Sequence, residues 1–183
     1  MTWAVQVRFA PQLHASPDMD IIKVLDSVNR GLKRARDEYN GRESVRSGQR
    51  PPHEYGIIVC GMRSFDTSSS KYFEEFLRVH HYETPQRQRS LASMALITVR
   101  MTYCMYTVAH VRQASLWARD ELGTPVVALD IAGAENGFPA EEHKEAYSLA
   151  HKNFLNKTVH AGEGYGPESI FQVRVVCETQ ASL

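Results

Sequence analysis

Two short, uninterrupted apolar runs constrain the fold of this chain more than any other feature. Residues 56–61 read Gly-Ile-Ile-Val-Cys-Gly, and residues 124–131 read Thr-Pro-Val-Val-Ala-Leu-Asp-Ile. A strand with one solvated face alternates apolar and polar side chains, whereas a strand that is buried on both faces is apolar nearly throughout. Such strands are typical of parallel sheets covered by helices, so the two runs favour the α/β class.

Two further strands are predicted at either end of this pattern. Residues 3–9 alternate apolar and polar side chains, which is the period of a strand, and residues 158–160 read Thr-Val-His. Because helix-like segments separate all four strands, we expect parallel strands that alternate with helices.

The helical segments are predicted from apolar spacing and from end signals. Ser16 and Pro17 fit the start of an amphipathic helix that runs to about residue 40, and Gly123 fits a helix end. The other predicted helical segments are residues 71–81, 88–98, 114–122 and 139–154.

Length and composition limit the classes of protein that remain. The 183 residues can bury a core, but a complete (β/α)8 barrel typically needs about 250. With 21 basic and 21 acidic residues, the chain has no electrostatic reason to bind nucleic acid or an anionic membrane. No apolar run approaches a membrane span, and the first residues lack a secretory signal. Three widely spaced cysteines predict neither a disulfide framework nor a cysteine zinc site, so we expect a reducing, cytoplasmic setting.

Polar residues that follow the predicted strands are the candidates for chemistry. Ligands of parallel α/β folds bind beyond the carboxyl ends of the strands, where this chain places Asp130, Glu135, His160 and Glu163. An imidazole can bind zinc, and a carboxylate can transfer a proton. One histidine and one glutamate do not define a site, however, because a catalytic zinc takes three protein ligands.

The exact residue order in four segments identifies a family more specifically than their composition does. Thr-Val-His-Ala-Gly-Glu at residues 158–163, followed by Gly-Pro-Glu-Ser at 166–169, closely resembles the His-Ala-Gly-Glu motif of the adenosine deaminase family. Three earlier segments resemble that family's second, third and fourth barrel strands in the same order. They are residues 7–14, 60–63 and 126–135.

The resemblance implies a fold, an activity and three roles. The family consists of zinc-dependent (β/α)8-barrel hydrolases that replace a purine 6-amino group by oxygen and release ammonia. By this likeness His160 is a zinc ligand, Glu163 protonates a ring nitrogen of the purine, and Gly133 makes a backbone contact to the purine. The expected substrate is adenosine or a related purine nucleoside, and the expected cofactor is zinc.

The chain departs from the family pattern at both ends. The first-strand histidine pair, the later histidine base and the paired aspartates have no counterpart, and His14, His80 and His81 have the wrong spacing to replace the pair. We therefore expect a partial barrel that covers strands two to five, with weak or absent activity and poorly held zinc.

Two segments lack the resemblance. We interpret residues 1–172 as a partial adenosine deaminase domain with an atypical insertion at 99–113, and residues 173–183 as a non-homologous tail. Both segments begin Val-Arg. Val codons begin with the bases GT, which are also the usual first bases of an intron, so we hypothesise that both segments are translated introns. A lineage-specific insertion is the alternative for the first segment.

Other interpretations stay open at this point. The enzyme could act on adenine or AMP, or the chain could be a non-catalytic isoform or interaction fragment that self-associates through exposed barrel edges. We expect His143 and His151 to lie on the surface, and Tyr103, Tyr106 and Trp117 to be packing residues.

Overall fold

The described residues of the chain form a sheet of four parallel strands. The computed structural model describes residues 2–65, 70 and 99–178. The strands are β1 (Trp3–Phe9), β2 (His53–Met62), β3 (Val126–Ala132) and β4 (Asn156–Lys157), and they lie in that order across the sheet. All three pairings are parallel, which confirms the predicted α/β class.

Helices occupy the connections between successive strands. The described helices are α1 (Ile21–Asn40), α2 (Glu43–Arg46), α3 (Val99–Leu122), α4 (Lys144–Lys152) and α5 (Pro167–Glu178). Single 3₁₀ turns cover Pro11–His14 and Ala140–His143. The helices predicted at residues 71–81 and 88–98 fall outside the described part of the chain.

The main core lies between the sheet and helices α1 and α3. Ile57 and Val59 of β2 are completely buried, as are Leu25 of α1 and Val111 of α3. Full burial of one such aliphatic side chain stabilises a fold by roughly 1.5–3 kcal/mol. This layer fixes β2 and β3 side by side, and their register pairs Cys60 with Asp130.

The fourth strand is shorter than predicted and begins earlier. β4 covers Asn156–Lys157, whereas the sequence predicted residues 158–160. The chain nevertheless continues along β3, because the Thr158 N–H donates to the Leu129 carbonyl and the His160 N–H donates to the Ile131 carbonyl, both at 2.9 Å. His160 is thus tied to the sheet by its own backbone.

The predicted start of the first helix is wrong. Ser16 forms a two-way backbone pairing with Met19, and α1 begins only at Ile21. Asp20 is the capping residue, since its carboxylate accepts a hydrogen bond of 2.8 Å from the Lys23 N–H. A carboxylate one residue before the apolar periodicity is an equally good cap, and it lies closer to that periodicity than Ser16 does.

The segment at residues 99–113 is helical. It forms the first part of α3, which continues without a break through the predicted helix at 114–122 and ends before Gly123, with a φ of 64°. Val108 and Val111 are completely buried, so this segment contributes to the core. Its origin as an insertion or translated intron stays a prediction.

The predicted surface position of His143 is wrong. Its side chain is only 2% exposed, and neither ring nitrogen has a hydrogen-bond partner among the described residues. Burial, helped by the positive charge of Arg63, lowers the pKa of His143 to about 4. His151 is exposed as expected, and Trp117 packs against the core. The side chains of Tyr103 and Tyr106 fall outside the described ones.

Among the described residues, β1 lies at one edge of the sheet, where Trp3 and Val5 are 54% and 44% exposed. Unpaired edge groups on a parallel strand can pair with another chain.

Across the described ranges, no helix combines the length and the apolar character that crossing a membrane requires.

The burial of His143 predicts how stability depends on pH. The pKa of about 4 in the folded chain lies below the usual 6.5, so the unfolded chain binds more protons between those values. The free energy of unfolding should therefore fall as the pH drops through that window, and His143→Leu should reduce that fall. Urea unfolding at several pH values measures it, with His151→Leu as the exposed control. Equal pH slopes for wild type and His143→Leu would contradict the prediction.

The exposed β1 edge predicts self-association. We expect the purified chain to elute with a concentration-dependent mass, and Val5→Lys to shift it toward monomer, because an edge lysine opposes strand pairing. Light scattering after size exclusion measures the mass. Ala35→Lys, on an exposed position of α1, is the matched control. A monomer at every concentration would show that this edge does not associate.

Candidate functional site

A buried carboxylate lies where the four strands end. Asp130 is completely buried, and its Oδ1 accepts a hydrogen bond of 2.9 Å from the Thr158 hydroxyl. Its Oδ2 lies 2.8 Å from His160 Nδ1, 3.1 Å from Cys60 Sγ and 3.4 Å from an Arg8 guanidinium nitrogen. Asp130 therefore joins groups from β1 and β2 to the residues that follow β4.

Two acceptors face one nitrogen of the His160 ring. Nδ1 lies 2.8 Å from the Asp130 carboxylate and 3.2 Å from the Ile131 carbonyl oxygen. This environment favours a proton on Nδ1, so that the lone pair of the neutral ring is on Nε2. The side chain is 38% exposed, and a ligand in solvent can reach it. A carboxylate behind the ring is also the usual arrangement for a metal-binding histidine.

Cys60 contributes to this cluster as a donor. Burial, together with the hydrogen bond to Asp130, raises the pKa of the Cys60 thiol well above its usual range. The thiol therefore stays protonated and is a poor nucleophile.

Glu163 lies on the loop that follows His160, with an exposed side chain. Gly162, between them in sequence, has a φ of 82°, and a Cβ there would lie 2.8 Å from Ile170 Cδ1. Both the backbone conformation and the close approach of Ile170 require glycine. The tight turn thus brings the chain from His160 to Glu163 in three residues.

Gly133 directly follows β3 and packs against the segment after β2. Its φ is 98°, and a Cβ there would lie 3.0 Å from Ser64 Oγ. The Ser64 hydroxyl also accepts a hydrogen bond of 3.3 Å from the Ala134 N–H. The backbone at Gly133 is therefore held in a conformation that a side chain would disturb.

Two buried charged residues, Glu135 and Arg63, contact the loop that follows His160. The sequence named Glu135 only as a candidate near a strand end, and it gave Arg63 no role. Glu135 Oε2 accepts hydrogen bonds of 2.8 Å from the N–H groups of Gly164 and Tyr165. The completely buried Arg63 donates to the carbonyl oxygens of His160 and Phe138. The available signal was their position, since Arg63 directly follows β2 and Glu135 lies three residues after the end of β3.

Among the described residues that were considered as metal ligands, only His160 lies at this site. His14 is exposed and makes an edge contact with the Phe9 ring, with centroids 6.2 Å apart. His80 and His81 fall outside the described residues. Within the residues described, no group of three or more His, Cys, Asp or Glu side chains could hold a metal ion. His160 fits one position of a zinc site, but the described residues do not complete one.

Similarity to known proteins agrees with the motifs. The sequence model of the family described as adenosine deaminase matches residues 86–181. Adenosine deaminase of Clostridium kluyveri is 51% identical over 55 residues, which cover 30% of this chain and 16% of that protein. Adenosine deaminase of Mycobacterium marinum is 26% identical over 172 residues, which cover 94% of this chain and 34% of that protein.

A probable adenosine deaminase of Dictyostelium discoideum is 28% identical over 159 residues, which cover 87% of this chain but 14% of that protein. The chain therefore spans about a third or less of these relatives.

The fold has a counterpart among solved structures. The crystal structure of adenine deaminase from Arthrobacter aurescens aligns with a TM-score of 0.52 at 15% identity. The alignment covers 96% of this chain and 37% of that enzyme, so the four strands correspond to part of its fold. Because the family model spans more than half of the sequence, the chain belongs to the adenosine deaminase family.

Proposed function

We propose that this chain carries part of the active site of a zinc-dependent deaminase that acts on adenosine or a related purine nucleoside. The observation that carries the proposal is the pairing of His160 with buried Asp130 in a chain of this family. The pairing leaves the Nε2 lone pair available to a ligand, and Glu163 follows on the same loop. When bound, zinc supplies a hydroxide nucleophile at neutral pH.

The residues of this chain have three roles in the proposal. His160 offers Nε2 as one zinc ligand. The exposed Glu163 carboxyl group donates a proton to the ring nitrogen beside the carbon under attack, which prevents negative charge from building up on the purine. The backbone at Gly133 contacts the purine, where a glycine lets the ligand approach closely.

The described residues hold one of the three protein ligands that a catalytic zinc takes. The chain also spans about a third or less of the relatives named above. We therefore propose weak or absent turnover for the chain alone. A non-catalytic fragment is the second candidate function, favoured by the same incomplete ligand set.

Turnover of the chain alone is the first test. We expect the protein, purified with zinc, to deaminate adenosine no faster than its Glu163→Gln variant, because the metal ligands are incomplete. The absorbance change of the purine measures the rate, and adenine and AMP complete the substrate panel. A wild-type rate well above that of Glu163→Gln, abolished by His160→Ala, would show that this chain is active.

The transcript on both sides of this reading frame tests the function itself. We expect codons for the missing histidine pair, the histidine base and the paired aspartates. In that longer product, Glu163→Gln should reduce kcat by about 10²–10⁴-fold, the usual contribution of a general acid. A transcript without those codons would overturn the deaminase proposal and leave the non-catalytic function.

Gly133→Ala tests the packing at the proposed purine contact. We expect it to lower the free energy of unfolding by about 1 kcal/mol more than Gly137→Ala. Both glycines have a positive φ, but a Cβ at Gly137 meets nothing within 4 Å, whereas at Gly133 it meets Ser64. Urea unfolding measures both values. Equal losses would mean that the contact with Ser64 does not constrain this position.

A further inference from the structure

Three backbone N–H groups on the loop that follows His160, the proposed zinc ligand, are held by two buried side chains, Glu135 and Ser169. Glu135 Oε2 accepts the N–H groups of Gly164 and Tyr165 at 2.8 Å. The Ser169 hydroxyl accepts the Gly162 N–H at 2.6 Å and lies 3.4 Å from the same Glu135 oxygen. One buried carboxylate thus fixes the backbone just after Glu163 directly and just before it through Ser169.

The other end of the loop is held by a charge of opposite sign. The Arg63 guanidinium donates to the His160 carbonyl oxygen and, at 3.3 Å, to the Phe138 carbonyl oxygen. A guanidinium can hold two acceptors in a fixed geometry, which an ammonium group cannot do in the same way. Arg63 directly follows β2, so it ties the loop after β4 to a strand that is not its neighbour in the sheet.

Both residues are buried although each carries a charge. Isolated buried charges are costly, and they persist when hydrogen bonds and an opposite charge compensate them. Burial alone would raise the pKa of Glu135. The backbone N–H groups of Gly164, Tyr165 and Glu163 together lower it by more than burial raises it, so the pKa lies below its usual value. Arg63 adds to that lowering. Glu135 is therefore ionised and forms charge-assisted hydrogen bonds, which are stronger than neutral ones.

We propose that Glu135 and Arg63 are positioning residues that together form a brace for the His160–Glu163 loop. Arg63 fixes the backbone at His160, and Glu135 fixes the backbone after Glu163. The side chains of His160 and Glu163 therefore stay at a fixed position relative to each other. The meaning of this placement for catalysis rests on the proposed function. The contacts themselves require neither zinc nor substrate.

Hydrogen exchange of single amides tests the brace without activity. In Glu135→Gln, which keeps the shape but removes the charge, the Gly164 and Tyr165 amides should exchange about tenfold faster than in wild type. The rates are normalised to the Ile58 and Val59 amides in β2, which report global opening. The ¹⁵N order parameters of His160 to Glu163 should fall in the same variant, and this local signature separates positioning from a general loss of stability.

Two further variants keep the test decisive. Glu168→Gln makes the same chemical change at an exposed acid near the loop and should leave these amides unchanged. If Glu135→Gln does not fold, Ser169→Ala replaces it, and the Gly162 amide should then exchange about tenfold faster. Arg63→Lys should lower the order parameter at His160, because the ammonium group loses the second acceptor.

Several results would overturn the brace. They are unchanged amides in Glu135→Gln, an equal effect of Glu168→Gln, and acceleration that merely parallels Ile58 and Val59. Because exchange is measured without metal or substrate, it does not depend on the proposed function. The predicted exchange pattern, together with a transcript that lacks codons for the missing metal ligands, would refute the proposed function and retain the brace. The reverse pattern would refute the brace alone.

Discussion

The Asp130 carboxylate is the constraint on which the functional end of this sheet depends. It is completely buried, and a charge in that position is stable only while its partners are present. Asp130 itself lies in β3, and its partners come from the other three strands or the residues after them. They are Arg8 in β1, Cys60 in β2, and Thr158 and His160 just after β4. The ends of the four strands are therefore held together by one side chain as well as by the parallel ladder.

The loops beyond the strands follow from that junction. His160 is held through its ring by Asp130 and through its backbone by the Ile131 carbonyl, so its position is set before the chain turns at Gly162. The brace residues, Glu135 and Arg63, then hold the turn itself. The sheet thus presents an imidazole and a carboxylate on a short loop, as the proposed function requires of these two side chains.

The sequence predicted what depends on local periodicity or on a specific motif. The bounds of β1 matched the alternation of residues 3–9, and the His160 motif identified the family. It did not predict contacts between residues far apart in sequence. His143 was expected on the surface because helix spacing does not reveal what covers a residue. Ser16 was expected to cap α1, although Asp20 competes for the same role. The brace was missed because its partners are backbone groups.

The tautomer of His160 tests the central claim most directly. If Asp130 orients the ring for a ligand, the neutral imidazole carries its proton on Nδ1 and presents the lone pair of Nε2. Two-dimensional correlation of the ring ¹⁵N and ¹³C–H signals of the whole chain, compared with Asp130→Asn, distinguishes the two tautomers. We predict the Nδ1–H form in wild type and its loss in Asp130→Asn. An Nε2–H form in wild type would contradict the orientation of His160 and, with it, the proposed zinc ligand.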